Sequence, residues 1–417
     1  MPTSSTYYTM DRLKQREEVL VVNSGSSSLK VTLFNCRMTS FERLFDVHLK
    51  GIHSTDSRLN MTTSEGSENI IISQEMGIQE GLEFIFDYLE TNGHFEVSSL
   101  KAIGHRYVHG GKQYISSTNI NDEVILNLEK LSYLAPLHNE ACLLGIKSCR
   151  NHFGKSIPQI AVFDTAFHSS MPQVAAQYAI AADISSKYQI KRYGFHGISN
   201  AFAWSIYKKS REENSKNEKI IVMHLGNGCS MTAIQGGSSI DTSMGFTPAE
   251  GLVMGTRAGD IDAGVVEFLC LHDKKTAVEA MEELNLHSGL LGISGTSSNM
   301  EVLLKKSEKE EKAQFAIEMF CYRIVKYLGA YIAVLGGVEA LIFTGGIGEN
   351  SPKIRQLIID KMAWHGIKLC ENANKRVTAL SLGKIEKISS SSTVDVYVVA
   401  TDENLFIAKE VMRLIAD

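Results

Sequence analysis

One pattern occurs twice in this chain and narrows the folds open to it. Residues 19–34 run as VLVV, NSGSSS and LKVTLF: an apolar stretch, a Gly/Ser turn and a β-branched stretch. Residues 220–234, IIVMHLGNGCSMTAI, repeat that order with little identity. Each reads as a β-hairpin with a polar turn. Its recurrence predicts an internally duplicated architecture. The 417 residues leave room for two domains, since one domain takes roughly 100–200 residues.

The rest of the chain supplies further elements. Strands are expected near 43–52 and 68–73, and a helix over 77–91 with Leu82, Ile85, Phe86 and Leu89 on one face. KAIGHRYVHGG reads as a strand entering a glycine-rich loop, and IPQIAVFDTAFH as a strand ending at Asp164. Helices are expected over 121–134, 139–150 and 312–335. ALIFTGGIGENS reads as a buried strand, a glycine turn and a helix start; DVYVVATDENLFIAKEVMRLI reads as a strand and a terminal amphipathic helix. The run KKSEKEEK at 305–312 mixes both signs and reads as a solvated helix face.

Composition excludes several classes. Hydrophobic residues at 44 %, charged residues at 21 % and only 6 Pro describe a globular chain. Lys+Arg (42) nearly balance Asp+Glu (47), so a protein built mainly to hold nucleic acid is not indicated. Seven cysteines, an odd number without CxxC, argue against a disulfide framework or zinc ribbon. They favour a reducing compartment, and a cytoplasmic location is expected. Residues 1–18 read as a polar, loosely attached extension without the apolar core of a signal peptide. No apolar run approaches the ~18 residues that a membrane span needs.

Three glycine-rich turns follow strands: NSGSSS, GNGCS and TGGIGEN. Small residues let several backbone N–H groups converge on an anion, and a helix start adds its dipole. None of the three matches the GxxxxGK[ST] or GxGxxG patterns. One such turn is ordinarily just a turn; three in one chain point to phosphate. Arg106 in GHRYVHGG and Arg257 in MGTRAGDID place a planar fork among small residues. A surface ion pair is the ordinary alternative for each. Asp164 and Glu403 end apolar strands, where a carboxylate can hold Mg²⁺ or serve a helix cap. His196, in KRYGFHGIS, sits between glycines that clear space around it. No HExxH-type spacing and no GxSxG occurs. Backbone cradles, arginine clamps and Mg²⁺ are together the parts of phosphoryl transfer.

These residues resemble the acetate kinase family, within the superfamily of sugar kinases, heat-shock chaperone ATPases and actin. VLVVNSGSSSLK, GHRYVHGG, APLHN, FDTAFH, RYGFHGIS, HLGNGCS, DTSMGFTPAEGLVMGTRAGDID, SGLLGISG, FTGGIGEN and ATDEN follow the family's order across residues 19–417. The resemblance implies an α/β fold: two lobes of a duplicated, ribonuclease H-like βββαβαβα (actin-like ATPase) fold, with an interlobe active-site cleft. The expected division is an extension over 1–18, an N-terminal lobe over 19–166 with the helix 402–417, and a nucleotide-binding and dimerisation lobe over 167–401. The implied reaction is reversible in-line transfer of phosphate from ATP to acetate.

By the same resemblance, Asn23, Asp164 and Glu403 match metal and phosphate-site residues, with Asp164 also catalytic. Arg106 and Arg257 match the two arginines for the carboxylate and the transferring phosphoryl. His196 matches the histidine at the transition state, and His138 a second one near it. Val108, Leu137, Phe195 and Pro248 match the acyl pocket. Ser26, Ser28, Lys30, His224, Asn227, Gly228, Asn299, Met300, Glu301, Gly345, Gly346, Ile347, Gly348 and Asn350 match nucleotide and phosphate contacts. Mg²⁺, replaceable by Mn²⁺, and ATP/ADP are implied, with acetate as the second substrate, a homodimer through the second lobe, and no nucleic-acid or membrane partner. The apolar helix at 312–335 fits that dimer. One departure is visible: where the family carries Asp and Arg, this chain has Asn299 and Glu301, which implies an altered nucleotide preference. Ala258 and Ala263 replace a common Ser and Pro. Val108 favours the smaller acid over propionate, the closest alternative substrate. An ATP-binding switch of the actin type would need the turns but not the arginine pair.

Overall fold

A computed structural model of the chain describes residues 17–37, 40–211, 217–391 and 393–416. Nearly all of the 1–18 extension therefore lies outside the described residues. Within them, the chain up to Ala166 and the helix from Glu403 form one compact unit, and Phe167–Asp402 form another.

The first unit is built on a sheet of eight strands: β1 (Glu18–Ser24), β2 (Ser28–Arg37), β3 (Ser40–Lys50), β4 (Ser57–Thr63), β5 (Gly66–Ile72), β6 (Leu100–Tyr107), β7 (Thr118–Asn119) and β8 (Gln159–Phe163). Their order is β5-β4-β3-β2-β1-β6-β8-β7. The β1/β2 hairpin is antiparallel, pairing Asn23 with Lys30, whereas β1 to β6 and β6 to β8 are parallel. β1, in mid-sheet, and β8, next to the short edge strand β7, are buried along nearly their whole length. β4 alternates buried and exposed residues, as a strand with one wet face must. This strand was not expected from sequence, because SRLNMTT lacks the β-branched run that marks β1 and β2.

Helix Ile78–Thr91 turns Leu82, Ile85, Phe86 and Leu89 into the core. Helix Pro136–Phe153 starts with Pro at its first turn, where a missing N–H costs nothing. The C-terminal helix Glu403–Ala416 packs on β1 and β6. It comes close because Gly104 of β6 has no Cβ; one would stand 2.6 Å from Ile407 Cγ2 and 2.8 Å from Val411 Cγ2.

The second unit holds six strands: β9 (Lys219–Leu225), β10 (Cys229–Gln235), β11 (Ser238–Thr242), β12 (Ala340–Thr344), β13 (Ile385–Lys387) and β14 (Asp395–Val399), ordered β11-β10-β9-β12-β14-β13. Again the first hairpin is antiparallel, and β9, β12 and β14 run parallel. Five strands in each sheet thus share one order: hairpin strands outward from the first, parallel strands on its other side. Helix Gly197–Lys209 packs on β9 and β14, much as the C-terminal helix packs on the first sheet.

Two expectations change. The charged run 305–312 is not one helix face: a helix ends at Lys306, and the next spans Glu311–Leu335. Its charges solvate the break. Helix Glu311–Leu335 also spends its apolar face inside its own unit, burying Ile317, Phe320, Ile324, Leu328 and Tyr331. It still leaves Phe315, Tyr322 and Val334 exposed, and helix Ala263–His272 has no buried residue, with Phe268 56 % and Leu271 71 % exposed. Among the described residues, no helix is long and apolar enough to cross a membrane.

Candidate active site

In both sheets the singled-out residues gather at the carboxyl ends of parallel strands, the edge at which open α/β sheets hold ligands. In the first unit, Arg106 lies near the end of β6 and Asp164 directly follows β8. Arg106 Nη2 donates to Asp164 Oδ2 at 3.0 Å, and Asp164 is buried. Burial alone would ease the proton off Arg106; Asp164, then Glu403, hold its pKa above the ordinary value. Among the described residues, Arg106 Nε is buried without a hydrogen-bond partner. Glu403 opens the C-terminal helix, half-buried, and Asn23 is half-buried near the end of β1. Ser26 and Lys30 are exposed on the β1/β2 turn, and Ser28 is half-buried. Val108 is buried, and His138 is half-buried in the first turn of helix Pro136–Phe153. The Leu137 side chain lies outside what the structure describes.

Asn139 secures the loop beyond β6. Its Oδ1 accepts from His109 N at 3.0 Å, and its Nδ2 donates to the carbonyls of His109 and Leu131. Among the described residues there is no cluster of three or more His, Cys, Asp or Glu able to enclose a metal. Two carboxylates, Asp164 and Glu403, and the Asn23 amide instead suit a hard cation completed by water and substrate oxygens. Mg²⁺ is usually held that way.

The second unit carries the turn residues 226–228 after β9 and the short helix Gly345–Asn350 after β12. Gly345 needs its glycine: φ is +76°, and a Cβ would meet Leu225 O at 2.8 Å. A cavity of about 570 Å³ opens between them, lined by Asn227, Asn299, Met300, Glu301, Gly346, Ile347 and Asn350, all singled out in the sequence. Gly226, Ser298, Leu304 and Ser351 also line it, and these were missed. Gly345 and Gly348 are buried and do not line it. The Gly345 N–H is spent on Glu349 Oε1 at 2.8 Å. Asn299 has a second duty: its Oδ1 accepts from Glu301 N and Val302 N, capping helix Met300–Lys306. Glu301 pairs with Lys305 at 2.6 Å.

His196 and Arg257 converge on the Gly228 turn. A Cβ on Gly228 would stand 3.3 Å from His196 Nε2 and 3.6 Å from Arg257 Nη1. His196 has a left-handed backbone, φ 56°, a conformation that costs a non-glycine residue roughly 1–3 kcal/mol and clusters at functional sites. Its Nδ1 lies 3.0 Å from Ser230 Oγ, and its ring lies 4.2 Å, centroid to centroid, from that of His224. His224 Nδ1 meets Ser199 Oγ at 2.8 Å, which in turn meets Thr401 Oγ1 at 3.1 Å. Ser230, Ser199 and Thr401 were not legible as supports, because a hydroxyl gives no pattern until the fold brings it to a ring.

Arg257 Nη1 donates to Pro248 O at 3.1 Å. Burial lowers its pKa, and among the described residues no carboxylate pairs with it. Phe195 is buried, and its carbonyl accepts from His168 Nε2 at 3.0 Å; Pro248 is half-buried. Cys229 is inert: burial pushes its thiol up to about 12. The second unit therefore offers a cavity between two glycine turns, flanked by a half-buried cation without a carboxylate partner among the described residues and by an imidazole.

Comparisons with known proteins agree with this chemistry. The chain matches the family model described as the Acetokinase family over residues 18–409. It is 40 % identical over 410 residues to the acetate kinase of Solibacter usitatus, covering 95 % of this chain and 98 % of the relative. The crystal structure of Porphyromonas gingivalis acetate kinase superposes with a TM-score of 0.88 at 37 % identity, covering 96 % of this chain and 100 % of that one. A propionate kinase from Francisella tularensis superposes with a TM-score of 0.86 at 36 % identity, over 94 % of this chain and 98 % of that one.

Proposed function

The chain belongs to the acetokinase family, a family of phosphotransferases, and from that premise we propose that it transfers the γ-phosphoryl group of ATP reversibly to acetate, giving acetyl phosphate and ADP. The observation that carries this reading is the approach of Arg257 and His196 to Gly228, at a turn whose neighbours Gly226 and Asn227 line the 570 Å³ cavity.

The nucleotide is assigned to that cavity. Its polyphosphate runs along Asn227, Gly228 and Gly346, with Ile347, Asn350 and His224 close by. Phosphate is disfavoured at the Asn299–Glu301 wall, where the capping amides are taken and a carboxylate stands. That wall is assigned to the nucleoside. Arg257 neutralises charge on the phosphoryl group in flight. A desolvated guanidinium without a carboxylate does this more strongly than one already paired. When Ser230 Oγ donates to His196 Nδ1, Nε2 carries the proton and donates to the same group.

In the first unit, Arg106 is assigned to the acetate carboxylate, Val108 to the methyl group and His138 as a further donor. In the second unit, Phe195 and Pro248 are assigned to the acyl group. The β1/β2 turn residues Ser26, Ser28 and Lys30 serve phosphate. Asp164, Glu403 and Asn23 would hold Mg²⁺, or Mn²⁺ in its place, which supplies charge neutralisation to the phosphate oxygens.

A propionate preference is the second reading, favoured by the similarity to a propionate kinase. One methylene is worth only about 1–3 kcal/mol, so overlap between the two acids is expected. We further propose a homodimer formed through the exposed apolar helix Ala263–His272, and a cytoplasmic location. The test of the phosphoryl-transfer role is Arg257→Ala. It should lower kcat by about 10²–10³-fold while circular dichroism and melting stay native. A folded variant with near-normal turnover would defeat the assignment.

A further inference from the structure

Arg355 heads the fully buried large side chains of the molecule, yet none of the roles above uses it. It lies on helix Pro352–Asp360. Among the described residues it pairs with no carboxylate. Its nitrogens are spent on neutral acceptors: Nε on Asn374 Oδ1 (2.7 Å), Nη1 on the carbonyls of Gly348 and Glu349 (2.8 Å each), and Nη2 on the carbonyls of Asn374 (2.8 Å) and Val377 (2.7 Å). Burial brings its pKa down to about 10. A buried cation held only by carbonyls is an expensive way to fill a core, which an aliphatic side chain would fill without desolvation.

What the guanidinium holds explains the choice. Gly348 and Glu349 end the helix Gly345–Asn350, only six residues long. Such a helix does not support itself, and its last carbonyls have no partner within it. Arg355 fastens those carbonyls to the 374–377 segment. The front of the same helix is fastened by Glu349, whose Oε1 accepts from Gly345 N (2.8 Å), Thr344 Oγ1 (3.2 Å) and Thr401 N (3.1 Å). Asn350 adds a third tie, accepting from Ala379 N at 2.8 Å and donating to Gly346 O at 3.0 Å. The residues between these ties, Gly346, Ile347 and Asn350, line the cavity.

We propose that Arg355 is a positioning residue for the nucleotide: it fixes the Gly346–Asn350 wall before ATP or ADP arrives, without touching either. This rests on the assignment of that cavity to the nucleotide. The wall is then preorganised, and binding spends little on ordering it. A residue that merely held the fold together would change melting temperature and leave substrate affinities alone.

The test compares wild type with Arg355→Lys, whose single ammonium cannot span five acceptor bonds. In the folded variant, KM for ATP and Kd for ADP by calorimetry should rise about tenfold or more, while KM for acetate stays within about twofold. Asn374→Ala keeps the arginine but removes its Nε acceptor, and should move the same two constants about threefold. It decides the matter if Arg355→Lys does not fold. Hydrogen exchange on the wild-type enzyme gives an independent reading: amides of Gly346–Asn350 should be protected without nucleotide. Unchanged nucleotide constants in a folded variant, or protection that arises only with ADP, would overturn the proposal. A wild-type protein that binds no ADP would instead sink the assignment of the cavity.

Discussion

Three arginines of this chain, Arg106 and Arg257 half-buried and Arg355 fully buried, have three environments, and the difference separates their roles. Arg106 has a carboxylate partner in Asp164, Arg355 is satisfied by carbonyls and an amide, and Arg257 has the carbonyl of Pro248 but no carboxylate. Of the three, Arg257 combines the lack of a carboxylate partner among the described residues with donors left over beside the Gly228 turn. Histidines divide in the same way. His196 and His224 are held by hydroxyls near the cavity, whereas His105 is buried in β6 against the Gln159 amide at 2.8 Å. Burial lowers the His105 pKa to about 4, against about 6.5 in the unfolded chain. The unfolded state therefore takes up the proton first as pH falls. The stability contributed by neutral His105 is complete above pH ~6.5 and is lost as pH drops toward 4, by about 3 kcal/mol in all. His48, likewise lowered to about 4 by burial and by Lys30 and Lys50, adds to the slope. Urea midpoints measured between pH 7 and pH 4 should fall steeply in wild type and less steeply in His105→Gln. Equal slopes would refute the attribution.

At the scale of elements, two helices make distinct predictions. Helix Met300–Lys306 is capped by Asn299 and bears the Glu301–Lys305 pair, so the wall proposed for the nucleoside carries an acidic side chain. Glu301→Arg should restore a cation able to stack on a base, worth about 0.5–1 kcal/mol at an exposed site. KM for ATP should then fall about two- to fivefold relative to GTP; an unchanged ratio would show that Glu301 does not set the preference. Helix Ala263–His272 exposes Val265, Phe268 and Leu271, and the next helix, Ala277–Leu286, exposes Val278, Met281 and Leu286. These exposed side chains fit the proposed dimer interface. Sedimentation equilibrium should return a dimer for wild type and a monomer for Phe268→Glu/Leu271→Glu. A wild-type monomer at micromolar concentration would contradict the homodimer.

At the scale of the whole molecule, much of the architecture was legible because the duplication is written in hairpins. VLVVNSGSSSLKVTLF and IIVMHLGNGCSMTAI carry the period-2 apolar pattern and a glycine turn, and both became antiparallel pairs at the centre of their sheets. Residues placed on glycine turns were legible too, since Asn227, Gly346 and Asn350 line one cavity. What stayed hidden was support. Arg355 sits in PKIRQLIID, where an arginine looks like the polar face of an amphipathic helix. Its burial depends on a segment twenty residues farther along folding over it. The break inside 305–312 was equally silent, because charges tolerate a turn as well as a helix. The chain's family chemistry is phosphoryl transfer to a small carboxylate. Its most direct test is to incubate the purified protein with Mg-ATP, hydroxylamine and, in parallel, acetate, propionate or butyrate, and to read the trapped acyl hydroxamate by colour. The signal should be strongest with acetate, weaker with propionate and least with butyrate. No hydroxamate with any of the three acids would contradict that chemistry.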